Sequence, residues 1–206
     1  MNIEPLLRYN VGVFIFDQVE VLDFAGPFEV FSTAARVRSR IEPGEDPIFN
    51  VFTVAEETGI IRARGDLEIL PAFNFSNHPP IDLLIVPGGI VSAEQEKEAV
   101  IAWLKQVAER AKISASVCTG AFLLAQAGLL RHRTATTHWE DLADLRTMSP
   151  DTEVKEGARW IDEGEIITSA GISAGIDMSL HLVARLFGEE LAFSTSRQME
   201  YDWRKG

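Results

Sequence analysis

Short apolar runs alternate with helical patterns along the chain. The runs are rich in Val, Ile, Leu and Phe, and between them apolar residues recur three or four positions apart. Continuous apolar runs are typical of strands buried on both faces, and the wider spacing is typical of helices covering a sheet. The pattern predicts strands at 11–16, 50–55, 81–86, 113–117 and 134–137, and helices at 24–37, 94–111, 119–129 and 173–187. This alternation predicts an α/β fold with a mostly parallel central sheet.

Turn-forming residues predict the connections between these elements. Residues 60–69 and 159–167 are predicted hairpins, and the polar segment 39–47 is a predicted surface loop. Pro27 is expected in the first turn of its helix, where a missing N–H costs little. No repeat or low-complexity segment interrupts the pattern, and 206 residues suit one core. We therefore expect a single domain, residues 1–206.

The composition indicates which binding partners and which cellular compartment are expected. A net charge of −12 disfavours nucleic acid and anionic membranes as direct partners. The longest uncharged run, residues 113–130, contains Ser, Thr, Gly and Gln and fits a strand, a turn and a helix better than a membrane span. A single cysteine cannot form an internal disulfide, and the N-terminus lacks the pattern of a secretory signal. We expect a cytoplasmic protein.

Candidate chemistry collects at the carboxyl ends of the predicted strands, where ligands bind in open α/β sheets. Asp23 follows the first strand, Gly88 and Gly89 follow the third, Cys118 follows the fourth, and His138 follows the short strand after it. Parallel strands bring these ends to one edge of the sheet. The five residues are therefore the first candidates for a functional site.

Cys118 stands at the junction of a strand and a helix in the segment SVCTGAFLLA. At such a junction the N–H groups and the positive dipole end of the helix lie near the sulfur, which predicts a lowered thiol pKa and a thiolate nucleophile. A buried structural cysteine is the alternative, because free cysteine behaves as a small hydrophobe. Position alone leaves both open.

The other candidates also have two interpretations each. Gly88 and Gly89 could direct their N–H groups at a developing negative charge, or could form only a tight turn. Asp23 could cap the helix that follows it, and burial beside a thiol would also raise its pKa and let it carry a proton. His138 could be a catalytic base or a hydrogen-bonded structural residue. The four histidines and the cysteine lack metal-ligand spacing, and no metal site is expected.

The segment GISAG at 171–175 matches the G-x-S-x-G motif of serine hydrolases. That fold requires an acid and a histidine on later, separate loops. After Ser173 only Asp177 and His181 are available, and together with Arg185 they recur every four residues on one predicted helix. We therefore interpret Ser173 as a helix cap and the other three as a polar helix face with local ion pairs.

Five segments together resemble the ThiJ/PfpI superfamily, which has the class I glutamine amidotransferase-like fold. They are LDFAGPFEVF (22–31), VPGG (86–89), SVCTG (116–120), ATTHW (135–139) and TSAGISAGID (168–177). The resemblance extends from about residue 11 to residue 187 and is greatest for the isonitrile hydratase branch and for the sensor domains of AraC-type regulators. It implies a single-domain, flavodoxin-like three-layer sandwich.

The resemblance also implies residue roles. Cys118 matches the nucleophile at the elbow, Asp23 the acidic residue facing it, and Thr119 a neighbour that helps to place the substrate. Gly89 and Ile90 match the oxyanion and substrate-binding segment. The implied reaction is hydration of an isonitrile to an N-substituted formamide through a thioimidate, with a small-molecule substrate and no cofactor.

Other implications of the resemblance concern relatives and assembly. His138 matches a histidine that other branches keep close to the cysteine. The protease-like branch has His directly after the cysteine, where this chain has Thr119, which argues against peptidase activity. The superfamily implies a homodimer. The regulators carry a helix-turn-helix domain after the sensor, for which we expect no room in a chain ending at Gly206.

Two alternative functions use the same residues. One is glyoxalase-like or deglycating activity on a small reactive carbonyl. The other is a redox sensor, in which Cys118 is oxidised and the change is detected by a partner. Composition does not separate them from hydration.

Overall fold

A computed structural model describes residues 8–205. The strands are β1 (Tyr9–Phe14), β2 (Phe49–Ala55), β3 (Ile61–Arg62), β4 (Glu68–Ile69), β5 (Phe73–Asn74), β6 (Leu83–Val86), β7 (Ile113–Val117), β8 (Thr134–Ala135), β9 (Glu153–Val154), β10 (Trp160–Asp162) and β11 (Ile166–Ser169). The helices are α1 (Val21–Ile41), α2 (Ser92–Gln95), α3 (Glu98–Ala108), α4 (Gly120–Gln126), α5 (Leu142–Met148), α6 (Ala174–Phe187) and α7 (Glu189–Gln198).

A seven-stranded sheet forms the centre of the fold, in the order β10-β11-β7-β6-β1-β2-β5. Every neighbouring pair is parallel except β10 with β11. Helices α1, α6 and α7 pack together along the sheet, and α2 to α5 form a second group. The central strands β6 and β7 are buried along their whole length, as expected for strands covered on both faces, although β7 contains two serines. The predicted flavodoxin-like α/β fold is confirmed.

The strand register aligns the ends that carry the candidate residues. Val86 at the end of β6 lies opposite Ser116 of β7, and Ser169 at the end of β11 lies opposite Val117. The segments that follow β6, β7 and β11 therefore leave the sheet side by side. Both predicted hairpins form, as β3 with β4 and as β10 with β11.

Several predicted boundaries are wrong. Helix α1 begins at Val21, three residues before the predicted start, so Pro27 lies inside the helix and has no N–H to donate to the carbonyl of Asp23. Strand β8 pairs with β9 in a separate two-stranded sheet rather than joining the central one. Helix α7 was not predicted, because few apolar side chains mark its buried face. Within the described residues, no helix combines the length and hydropathy needed to cross a membrane.

Candidate functional site

Cys118 forms a strained elbow between β7 and α4. Its φ is +56°, a left-handed conformation that costs a non-glycine residue roughly 1–2 kcal/mol. The surrounding structure fixes the elbow from both sides, since the Cys118 N–H donates to the carbonyl of Ser169 at 3.2 Å and its carbonyl accepts the Thr137 hydroxyl at 2.8 Å. Thr137 is a functional candidate that the sequence analysis did not single out. Strain held in this way is typical of functional positions.

Gly120 allows the elbow to sit against β6. A Cβ at this position would lie 2.0 Å from the carbonyl oxygen of Val86 and 2.9 Å from that of Pro87, and both contacts are with backbone. We expect Gly120→Ala to destabilise the protein by about 3 kcal/mol or more, since overpacking against backbone cannot be relieved by a rotamer change. Urea unfolding measures this, with Gly59→Ala as the control, because a Cβ on Gly59 meets no atom within 4 Å. Equal stabilities of the two variants would contradict the close packing.

Asp23 lies behind the cysteine and is fully buried. It is the third residue of α1, so the prediction that it caps this helix is wrong; Glu20 occupies the cap position. Its Oδ2 accepts the N–H of Gly88 at 3.1 Å, and its Oδ1 has no hydrogen-bond partner. A buried carboxyl oxygen without a partner is costly, which makes this residue a candidate for chemistry rather than structure.

Burial raises the proton affinity of both the carboxyl and the thiol. Burial raises the pKa of Asp23 to about 7, although the hydrogen bond from Gly88 opposes the shift. Burial, followed by the negative charge of Asp23, raises the pKa of the Cys118 thiol to about 12, even though the N–H groups of Thr119 and Ile172 hydrogen-bond to it and lower it. The predicted lowering of the thiol pKa is therefore wrong, because burial and a neighbouring carboxylate outweigh the helix end. Near neutral pH the proton stays on sulfur and Asp23 is partly ionised.

The N–H groups after β6 are already occupied. Gly88 donates to Asp23, Gly89 donates to the Thr119 hydroxyl at 2.9 Å, and Ile90 donates to the carbonyl of Gln18 at 3.1 Å. The prediction that the Gly88 and Gly89 N–H groups point together at an open oxyanion site does not match these bonds. The N–H groups that reach the sulfur come instead from the elbow and from the loop before α6.

A pocket of about 230 Å³ opens over the cysteine. Its lining includes Gly89, Cys118, Thr119 and His138, so four of the residues selected from the sequence meet at one cavity. The Thr119 hydroxyl is fixed there, because it also donates to the carbonyl of Gly89 at 2.9 Å. The half-exposed side chain of Ile90 lies outside the lining.

Charged residues that the sequence analysis missed complete the pocket. Glu20, Arg64, Glu140 and Asp141 all contribute to its lining, and Arg64 forms an ion pair with Glu20 at 3.1 Å. The remaining two carboxylates leave the lining net negative. Arg64 comes from the β3–β4 hairpin, and nothing in the local sequence of that hairpin marks it as part of the site.

His138 lies at the edge of the pocket beside acidic residues. Its Nδ1 is 3.3 Å from Asp141 Oδ2 and accepts the Glu140 N–H at 3.4 Å. Its ring packs against Gly171 so closely that a Cβ there would come within 2.1 Å of the ring. Both interpretations of His138, as a base and as a structural residue, fit this position.

Ser173 does not form a serine-hydrolase elbow. It is exposed, it occupies the cap position of α6, and its side chain makes no capping hydrogen bond. It therefore has the predicted position of a helix cap without the expected hydrogen bond.

The polar residues of α6 form ion pairs with other elements, and the prediction of pairs within one helix is wrong. Asp177 is fully buried and pairs with Arg159. His181 and Arg185 both contact Asp162 of the β10–β11 hairpin, at 2.7 and 2.9 Å. These contacts attach α6 to the hairpin and leave no catalytic acid or base for Ser173.

Known proteins are similar to this chain in sequence over most of its length. The sequence is 32% identical over 196 residues to isonitrile hydratase from Pseudomonas putida, covering 95% of this chain and 79% of that protein. It is 28% identical over 193 residues to the HTH-type transcriptional regulator GbdR of Pseudomonas aeruginosa, covering 94% of this chain but only 51% of the regulator.

Solved structures show the same fold. The crystal structure of a ThiJ/PfpI family protein from Pseudomonas syringae superposes with a TM-score of 0.83 at 26% sequence identity, covering all of this chain and 80% of that one. Residues 9–185 match the sequence profile of the DJ-1/PfpI family. With an elbow cysteine, a buried facing carboxylate and this match over most of its length, the chain belongs to the DJ-1/PfpI family.

Proposed function

We propose that this protein is an isonitrile hydratase-like lyase, which converts an isonitrile and water to an N-substituted formamide with Cys118 as the nucleophile. The observation that carries the proposal is the buried pair of Cys118 and Asp23, in which a thiol with a raised pKa lies beside a carboxyl group whose pKa is raised to about 7. The relation to isonitrile hydratase supports the choice of substrate.

The pair suits addition of S–H across the terminal isonitrile carbon. Asp23 takes the thiol proton as the sulfur attacks, and it then delivers that proton to the carbon, which leaves a thioimidate on Cys118. The pair can hold its proton on Cys118 or on Asp23, and these two states differ only in the position of that proton. A high thiol pKa therefore does not prevent the attack of sulfur on the isonitrile, because Asp23 accepts the proton directly. The Thr119 and Ile172 N–H groups stabilise the transient negative sulfur.

Water completes the reaction. Asp23, again a carboxylate, takes a proton from water as the oxygen attacks the thioimidate carbon, and passes this proton to the nitrogen. The C–S bond then breaks as the new hydroxyl group loses its proton to the sulfur, which releases the formamide and restores the thiol. The two half-reactions consume one water and leave the enzyme unchanged.

Electrostatics supports an uncharged electrophile. The net negative lining of the pocket disfavours anionic substrates and imposes no such penalty on a neutral isonitrile. We further propose that the chain forms one domain and acts as a homodimer.

Turnover of a simple aryl isonitrile tests the proposal. We expect purified protein to form the corresponding formamide, detected by liquid chromatography, and Ser173→Ala to keep wild-type activity because its exposed hydroxyl has no role. Methylglyoxal is assayed in parallel. Consumption of methylglyoxal by folded protein that leaves isonitriles untouched would replace hydration with the carbonyl alternative.

A further inference from the structure

A second pocket lies at the carboxyl ends of β1 and β2, away from the cysteine. It has a volume of about 240 Å³ and shares no lining residue with the Cys118 pocket. The backbone between the two is fixed, since Gln18 donates to the carbonyl of Arg62 at 2.7 Å and accepts the Ile90 N–H at 3.1 Å. This is therefore a separate cavity and not an extension of the proposed active site.

The wall of this pocket is strongly acidic. Asp17, Glu56, Glu57 and Glu94 line it, and Lys97 is its one cationic lining residue among the described residues. The lining therefore carries a net charge of about −3 when these groups are ionised. We call this cavity, defined by these five residues, the acidic pocket.

Glu94 is the unusual member. The residue is 2% exposed, and a carboxylate buried this far normally has every oxygen paired. Its Oε1 accepts the Lys97 ammonium at 2.8 Å, but its Oε2 has no hydrogen-bond partner. The acidic pocket thus contains a buried carboxylate oxygen with an unused capacity to accept a hydrogen bond from a cation.

Lys97 shows the kind of group that the acidic pocket accommodates. Its ammonium contacts Glu94 at 2.8 Å and Glu56 at 3.2 Å. Partial burial opposes the charged form, but the hydrogen bonds and charges of Glu94 and Glu56 outweigh it and raise the pKa of Lys97 above its ordinary value. An ammonium is therefore stable between these carboxylates, and a second one would pair with Oε2 after a small rotation that turns this oxygen, which now has almost no accessible surface, toward the cavity.

The remaining lining is apolar, with Phe14, Phe16, Ile60 and Ile61 among its residues. The volume is slightly below the usual range of about 300–1,000 Å³ for small-molecule sites, which fits a compact ligand. Among residues 8–205, no set of three or more His, Cys, Asp or Glu side chains is arranged to hold a metal ion. An organic cation fits this combination of charge and apolar surface.

We propose that the acidic pocket binds a small primary alkylammonium compound, whose ammonium donates to Glu94 and whose hydrocarbon chain packs on the apolar lining. This proposal does not depend on the proposed catalytic function. It assigns a ligand class to the one buried glutamate oxygen in the described residues that has no partner.

Titration with n-butylammonium, followed by amide chemical shifts in NMR spectra, tests the proposal. We expect shift changes around Glu57, Glu94 and Lys97, and none with n-butanol or butyrate at the same concentrations. Glu94→Gln should weaken binding at least about tenfold, because it removes a charged acceptor and leaves the shape unchanged. Glu57→Gln, on an exposed residue, should also weaken binding and cannot unfold the core.

Lys97→Gln is the most specific test, because it should strengthen binding and not weaken it. Removing the built-in ammonium frees Glu56 and Glu94, so we expect n-butylammonium to bind this variant several-fold more tightly than it binds wild type. Glu109→Gln, which removes the same charge as Glu94→Gln but at an exposed residue directly after α3, should have no effect. Absent shift changes, weaker binding by Lys97→Gln, or equal losses in Glu94→Gln and Glu109→Gln would each overturn the proposal.

Discussion

Cys118→Ala is expected to abolish formamide production, with a loss of at least about 1,000-fold in kcat. The proposed reaction passes through a covalent bond between Cys118 and the isonitrile carbon, and this is the chain's only cysteine, so no other thiol can replace it. Alanine removes only the sulfur and leaves the left-handed elbow and its backbone hydrogen bonds intact. Formamide appearance from an aryl isonitrile measures the effect.

The covalent step has a signature of its own. Addition of S–H across the isonitrile retains every atom, so rapid quenching followed by mass spectrometry should show wild-type protein heavier by the full mass of the substrate. Cys118→Ala should show no adduct, and Cys118→Ser should resemble it because a hydroxyl is a far weaker nucleophile. Thermal unfolding of all three proteins provides the control for folding.

Formamide produced by Cys118→Ala at the wild-type rate would contradict nucleophilic catalysis. The reaction would then be direct attack of water with Asp23 as the base. A different outcome is a wild-type protein that forms no formamide but keeps a persistent adduct. That result would mean that hydrolysis of the thioimidate is slow, and that Cys118 is still the nucleophile.

The sequence predicts the scaffold of the site well. Strand β7 has the predicted bounds, because its run of small and apolar residues is short, follows Lys112 and ends at the turn-forming segment around Gly120. Cys118 at the elbow follows from that strand and the helix after it. The pairing of Cys118 with Asp23 rests on the family resemblance, since the two residues lie 95 positions apart in the chain (118 − 23).

The electrostatics of the site could not be predicted from local patterns. A helix end favours a thiolate, but burial and the charge of Asp23 reverse the shift, and both depend on which strands are neighbours. The internal hydrogen bonds of Gly88 and Gly89 likewise depend on the positions of α1 and the elbow. Arg64 reaches the pocket from a distant hairpin. Tertiary contacts, and not the composition of any segment, decide these features.

Asp23→Asn is expected to lower the catalytic activity and to raise the free energy of unfolding. The amide keeps an oxygen that can accept the Gly88 N–H, but it cannot carry the proton between sulfur, carbon and water, which predicts a loss of about 100- to 10,000-fold in kcat/KM. For wild type, kcat/KM should rise with pH through about 7 as Asp23 ionises, and this rise should be missing from the residual activity of the variant.

The stability effect follows from the raised pKa of Asp23. In the unfolded chain this carboxyl loses its proton near pH 3.8, whereas in the folded protein it keeps the proton up to about pH 7. Its ionisation therefore destabilises the fold increasingly between these values and fully above pH 7. The difference corresponds to about 4 kcal/mol, the largest gain that asparagine could give at alkaline pH. Below about pH 4 the two proteins should be close in stability.

Urea unfolding of wild type and Asp23→Asn at pH 4, 6 and 8 measures this dependence. The free energy of unfolding should favour the variant at pH 8 and converge at pH 4, while Asp46→Asn, on an exposed loop, should follow wild type throughout. A variant less stable than wild type at pH 8 would mean that Asp23 holds the fold together as an ionised group. A variant that is inactive but more stable than wild type would instead show that Asp23 is a buried acid that destabilises the fold and is needed for the reaction.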